Sequence, residues 1–217
     1  MLTIQIASVP GLTKNVPLLR SLVTLLTRSA AMGVLPGATV TRLDADAVRR
    51  VIGALQDERL LSSATLDLDP LLQCGPADLE PAVAGRMEAS IARIIETLGE
   101  SPSPATEWAS LRAVFGDDIL SQLVGVSESS LRRYGSAARN TPQAVAERLH
   151  WLAMVVADLA GAYNDFGIRR WFERPRAQLG GRSPRQTLGE DWAVDDAAAQ
   201  QVRALAGTLT GAQPLAA

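Results

Sequence analysis

Seven apolar residues, Val145, Leu149, Leu152, Val156, Leu159, Tyr163 and Phe166, follow one another at steps of 4, 3, 4, 3, 4 and 3. A helix brings such positions onto one face, because its side chains recur every three to four residues. The pattern predicts one long helix of about 25 residues with a continuous apolar seam. Thr141 and Pro142 form a cap-and-start pair just before it. A seam of this kind faces the core of a bundle or also pairs across a dimer.

The same period recurs upstream. Leu18, Leu22, Leu25 and Leu26 predict a helix from Leu18 to near Met32, which "GVLPGAT" stops with two glycines and a proline. Asp44 is placed to cap a second helix carrying Val48, Val51, Ile52 and Leu55 on one face. After a Pro-rich connector, "DLDPLLQCGPADLEP", residues 82–98 place Val83, Met87, Ile91, Ile94, Ile95 and Leu98 at helical spacing. "GESPSP" then breaks the pattern, and a domain boundary is expected near residue 101. Residues 1–17, with Pro10, Gly11 and Pro17, read as an irregular arm or a short extended segment.

Downstream of that boundary, Pro104 suits a first helical turn, and Trp108, Leu111, Val114 and Phe115 form a face that ends at Gly116. Asp117 or Asp118 is expected to cap the next helix, with Ile119, Leu120 and Leu123 as core candidates. Ser183, Pro184 and Gln186 spell a capping box after the Gly180–Gly181 turn, and Gly189 closes that short helix. Val194, Ala198, Val202, Leu205 and Leu209 mark a final helix before the tail "TGAQPLAA". Few segments alternate at period two, so the expected class is all-α. The expected architecture is a helical bundle with an N-terminal helical extension (1–100), a helix-turn-helix region (101–140), and a long helix with a C-terminal helical module (141–217).

Charge sharpens this picture locally. The chain of 217 residues carries a formal charge of only -2. Residues 127–185, however, hold ten arginines against five acids, whereas residues 1–100 are slightly acidic. Any basic surface therefore lies downstream. Lys14 is the only lysine, and Cys74 is the only cysteine. A single cysteine excludes an internal disulfide framework and suits a reducing cytoplasm. The N-terminus lacks a basic stretch before its apolar residues, and no apolar run reaches the roughly 18 residues of a membrane span. A cytoplasmic chain without membrane contact is the expectation.

"ILSQLVGVSESSLRRYG", residues 119–135, has what a helix-turn-helix requires. Two short helices crossing steeply over one core need apolar Leu120, Leu123, Val126 and Leu131, a glycine at the turn (Gly125) and a small capping residue (Ser127). With Leu131 inward, Glu128, Ser129, Arg132 and Arg133 face outward, where hydroxyls and forked guanidiniums meet phosphates and base edges. The candidate DNA-contacting set is Ser127, Ser129, Ser130, Arg132, Arg133 and Arg139, with Arg132 or Arg133 as the base reader. A helical hairpin with two solvated arginines, or a helix-turn-helix kept only for packing, reads the same residues without DNA.

Catalytic patterns are thin. His150 is the single histidine, inside the long helix, and reads as structural. "GVSES" lacks the closing glycine of a nucleophile elbow, and "LGGRSP" suits a turn before a helix better than a phosphate loop. The acid pairs Asp44 with Asp46, Asp117 with Asp118, and Asp195 with Asp196 fall at helix starts and read as caps. No enzymatic activity, metal or cofactor is expected.

"FGIRRWFERPRAQLGGRSPRQTLGE", residues 166–190, crowds arginines and aromatics into a short, well-punctuated module. Together with the helix-turn-helix and long helix, residues 105 to about 210 resemble antitoxins of the Xre/MbcA/ParS type, partners of RES-domain toxins. Trp171, Gly180, Gly181, Arg182, Pro184 and Leu188 carry most of that resemblance. It implies a type II toxin-antitoxin system in which this chain covers the active-site cleft of an NAD-consuming toxin and represses its own operon through the helix-turn-helix. The toxin-facing positions it implies are Arg169, Arg170, Trp171, Arg174, Arg182 and Pro184, with Val202 and Leu209 of the closing helix. Trp171 would be a buried anchor, the arginines donors to the toxin rim, and Pro184 a shape-holder. Intramolecular packing of Trp171 and Phe172 beneath the long helix is the alternative. Implied partners are a RES-type toxin and operator DNA, in a homodimer or a larger hetero-oligomer with the toxin. Residues 1–100 have no counterpart in the short antitoxins of this type. The rival functions are a helix-turn-helix regulator with an N-terminal dimerisation or ligand-sensing region, and a helical adaptor that contacts no DNA.

Overall fold

The computed structural model describes residues 15–35, 43–61 and 80–209. Among these, every regular element is helical. The expected N-terminal arm up to residue 14, most of the Pro-rich connector with Cys74, and the tail after Leu209 lie outside the described residues. Ala31–Gly33 aside, the chain divides into two compact units that meet in sequence between Ser101 and Pro102.

In the upstream unit, α1 (Val16–Ala31), α2 (Ala45–Asp57) and α3 (Pro81–Gly99) follow the apolar periods. Leu18, Leu22, Leu25 and Leu26 are buried on α1, and Val48, Val51, Ile52 and Leu55 on α2. Asp44 caps α2, accepting from the Ala47 N–H at 3.0 Å. On α3, Met87, Ile91, Ile94 and Leu98 are buried, whereas Val83 and Ile95 are only half-buried. Arg28 of α1 donates to the Ile95 carbonyl oxygen at 2.7 Å. The irregular arm expected through residue 17 is shorter than that, because α1 already begins at Val16. Pro17 sits in the first turn, where a missing N–H costs no helical bond.

The downstream unit contains α4 (Pro104–Val124), α5 (Glu128–Gly135), α6 (Gln143–Ala160), α7 (Asp165–Glu173), a 3-10 turn (Ala177–Leu179), α8 (Pro184–Leu188) and α9 (Ala197–Leu209). The helix-turn-helix and the C-terminal module thus share one unit, built around α6. Leu149, Leu152, Ala153, Val155, Val156 and Leu159 of α6 are all but inaccessible, and α4, α7 and α9 pack against it. Gly116 breaks α4 into two arms at φ 73°, ψ 170°, a backbone state that only glycine adopts readily. The apolar face of the first arm therefore ends where its residues predict.

The long helix is shorter than its seam. It stops at Ala160, and Asn164 caps a separate α7 by accepting from the Gly167 N–H at 2.9 Å. An Asn that satisfies a following amide competes with helix continuation. The chain turns between the two helices, so the numerical period runs on while the physical face does not. Leu159 is buried, and Phe166, seven residues later, is 66% exposed.

Aromatic side chains fill the remaining core. Phe172 meets Phe115 edge-on at 5.0 Å and Trp171 at 5.1 Å, and Trp151 meets Trp192 edge-on at 4.8 Å. Edge-to-face pairs of this kind add to the area they bury. Trp108 lies parallel to Tyr134 and donates through Nε1 to Thr141 Oγ1 at 3.0 Å. Beneath these rings, Glu107 Oε1 and His150 Nδ1 approach to 2.6 Å, both buried. Burial raises the Glu107 pKa above the ordinary carboxylate value, and the hydrogen bond and charge of His150 partly oppose that.

Candidate functional site

The second arm of α4 and α5 are joined by a tight turn. Gly125 takes the left-handed conformation (φ 70°, ψ 40°), and the Val126 N–H donates to the Ser121 carbonyl oxygen at 2.9 Å. Ser127 then caps α5, accepting from the Ser130 N–H at 3.2 Å. Leu120, Leu123 and Leu131 are buried under this turn and Val126 is half-buried, as the two-helix core requires. Ser127, Ser129, Arg132, Arg133 and Arg139 are exposed, and Ser130 is half-buried. The hydroxyls of Ser127 and Ser129 lie 3.0 Å apart, and Ser127 donates to Ser130 Oγ at 3.1 Å, so the serines form a local network at the helix start.

The two candidate base readers differ sharply. Arg132 is held inside the protein's own charge network, donating to Asp117 Oδ2 at 3.1 Å and Glu128 Oε2 at 2.8 Å. Asp117 also accepts from Arg112 Nε at 2.7 Å. Hydrogen bonds from Arg112 and then Arg132 hold its carboxyl below the ordinary carboxylate value. Asp117 and Asp118, expected as caps, are thus ion-pair acceptors: Asp118 takes a hydrogen bond from Arg169 Nη2 at 2.8 Å. The Arg133 side chain makes no hydrogen bond or ion pair with the described residues. Arg139 lies over the Tyr134 ring at 5.6 Å. Of the two candidate base readers, Arg133 is the one with no ion pair to break. If α5 docks on promoter DNA, as its sequence pattern leads one to expect, Arg133→Ala should weaken that binding by about 1–3 kcal/mol and lower the salt slope by about one where the contact is to phosphate. Arg132→Ala is expected to do less in the same anisotropy titration.

The C-terminal module grips the helix-turn-helix along the second arm of α4. Arg185 donates to Gln122 Oε1 at 2.6 Å, Trp192 Nε1 to the Leu123 carbonyl oxygen at 2.8 Å, and Arg148 to the Val124 carbonyl oxygen at 3.3 Å. A cleft of about 520 Å³ runs between Gln122, the turn at Gly125 to Ser127, and Arg185, Glu190 and Asp191. Glu190 and Asp191 thus place two carboxylates on the wall that also carries Arg185.

The residues expected to face a toxin separate into two groups. Arg170, Arg174 and Arg182 are exposed, and Leu209 is 41% exposed. Arg169 is partly exposed and committed to Asp118. Trp171, Pro184 and Val202 are interior, with Trp171 at 1% and Val202 at 0% exposure. These three offer no face to a partner in this conformation. Trp171 plugs the core against Phe172 and lies beneath the Arg176 guanidinium at 5.3 Å. Pro184 starts α8 inside a complete capping box with Ser183 and Gln186, and Val202 sits on the α9 stripe with Ala199 and Ala206.

Several residues escaped the sequence reading. Glu107 shares helical spacing with Leu111 and Phe115, the signal that would have placed this carboxylate inward. Phe166 shares the seam's spacing and is nevertheless exposed, and nothing in "EDWAV" announces that Trp192 locks the second arm of α4. Among the described residues, no helix is long and apolar enough to cross a membrane. No group of three or more metal-ligating side chains is found among them either. No family model, curated protein or solved structure matches this chain.

Proposed function

We propose that this chain is a cytoplasmic antitoxin of a type II toxin-antitoxin system, which neutralises a RES-type, NAD-consuming toxin by occluding its active site and represses its own operon. The observation that carries the reading is one compact unit bearing two unspent basic faces: Arg133 on a properly capped α5, and Arg170, Arg174 and Arg182 around α7. Exposed guanidiniums supply charge-assisted, forked hydrogen bonds, which suit both a phosphate backbone and a carboxylate-bearing protein rim. A homodimer, or a larger complex with toxin, would present two α5 helices to a palindromic operator.

Burial of Trp171, Pro184 and Val202 favours a second reading, a DNA-binding regulator without a toxin partner, since three of the eight expected toxin contacts are spent on the chain's own core. Co-expression separates the two. A growth-arresting RES-type toxin should lose its effect beside the wild-type chain. The double charge reversal Arg170→Glu and Arg174→Glu should restore arrest while leaving the unfolding curve unchanged. A chain that never rescues growth, yet binds its promoter, is the regulator.

A further inference from the structure

We infer that Phe166 is the aromatic anchor of the toxin-binding surface, seated in an apolar pocket rimmed by carboxylates on the RES-type partner. The inference rests on the antitoxin reading and deepens it by naming the contact that Trp171, buried in its own core, cannot make.

Phe166 is 66% exposed on the first turn of α7, and the Arg170 guanidinium lies over its ring at 5.6 Å. Residues four apart on a helix are neighbours on its surface, so this aromatic and cation form one preorganised element. Arg174 continues the same face, its N–H bonded to the Arg170 carbonyl oxygen at 3.0 Å. The loop that follows folds back, with the Arg176 N–H donating to the Arg182 carbonyl oxygen at 2.9 Å, and so returns Arg182 toward Arg176. The side chains of Arg174 and Arg182 make no hydrogen bond or ion pair with the described residues.

Charge selects the occupant. Residues 166–185 hold six arginines, at 169, 170, 174, 176, 182 and 185, against one acid, Glu173, which is exposed. Asp165 just precedes them at the start of α7, where an acid suits the helix dipole. A partner matched to this patch needs a surplus of carboxylates around an apolar recess. Aromatic residues, Phe among them, and Arg are enriched at the cores of protein interfaces, where the contacts around them exclude water. Exposure on the free chain also means that Phe166 gives up little internal packing when it inserts elsewhere.

The test is calorimetric titration of the full-length chain into a catalytically inactivated RES-type toxin, with single-stranded DNA as a parallel probe. Phe166→Ala is expected to weaken toxin binding by roughly 30-fold or more with an unchanged unfolding curve, and Phe166→Trp to bind close to wild type. If Phe166→Ala binds toxin like wild type, the anchor assignment fails while the antitoxin reading stands. If wild type binds no toxin, the reading itself fails and takes the anchor with it. Loss of single-stranded DNA binding in Phe166→Ala, with toxin binding intact, would make the ring a base-stacking platform and overturn the inference.

Discussion

Trp171→Ala is expected to destabilise the downstream unit by about 3–5 kcal/mol, the usual cost of deleting a buried tryptophan and leaving a cavity. The indole is 1% exposed and wedged against Phe172, which in turn meets Phe115 across the kink at Gly116. Loss of the ring removes contacts from both α4 and α7, since the surrounding helices relax only partly. All four tryptophans, Trp108, Trp151, Trp171 and Trp192, lie downstream of residue 101, so fluorescence during urea unfolding reports this unit alone. Trp171→Phe should cost less, because it keeps most of the volume and discards an Nε1 that has no hydrogen-bond partner among the described residues. Any loss of partner binding in Trp171→Ala is then a loss of fold. Arg170 and Phe166 are the positions where interface and stability can be varied separately.

A comparably large effect is expected at the buried pair. His150→Ala leaves the buried Glu107 carboxyl without its imidazole partner, and a buried polar group left unsatisfied costs about 1–3 kcal/mol, to which the lost ring packing adds. Glu107→Gln is milder, as it removes the charge and keeps a polar group beside the imidazole. The two variants also report on pH. Burial raises the folded-state pKa of Glu107, so the folded chain holds this proton more tightly than the unfolded chain. The contribution of Glu107 is fully present below its ordinary value of 4.5 and is lost as pH rises through the raised folded value. Relative to Glu107→Gln, wild type should therefore lose stability with rising pH above 4.5, read from urea midpoints at constant ionic strength. Parallel curves for the two proteins would mean that Glu107 does not titrate in this window.

Much of this architecture is legible in the residues because apolar period and capping chemistry agree. Asp44, Ser127 and the Ser183–Gln186 box start helices as their types predict, and Gly116 and Gly125 turn the chain where glycine is required. Periodicity failed where it persisted across a break. Tyr163 and Phe166 keep the seam's numbering, but the long helix stops at Ala160 and Asn164 caps a separate α7, so the turn between the two helices sets Phe166's direction and the period does not. Charge was the least legible feature. Arg132 and Arg133 are equivalent neighbours in the sequence, and only the placement of Asp117 and Glu128 engages one and leaves the other available. Trp171 illustrates the same limit: the resemblance implies an anchor, but whether it anchors a partner or its own core depends on how α7 lies against α4.

The central claim is neutralisation by occlusion, and the most direct measurement is NAD consumption by a purified RES-type toxin titrated with the full-length chain. Occlusion predicts that activity falls linearly to background at a fixed stoichiometric ratio, and that Phe166→Ala with Arg170→Glu restores turnover at the same ratio. Undiminished NAD consumption with a saturating excess of folded, DNA-binding chain would contradict it.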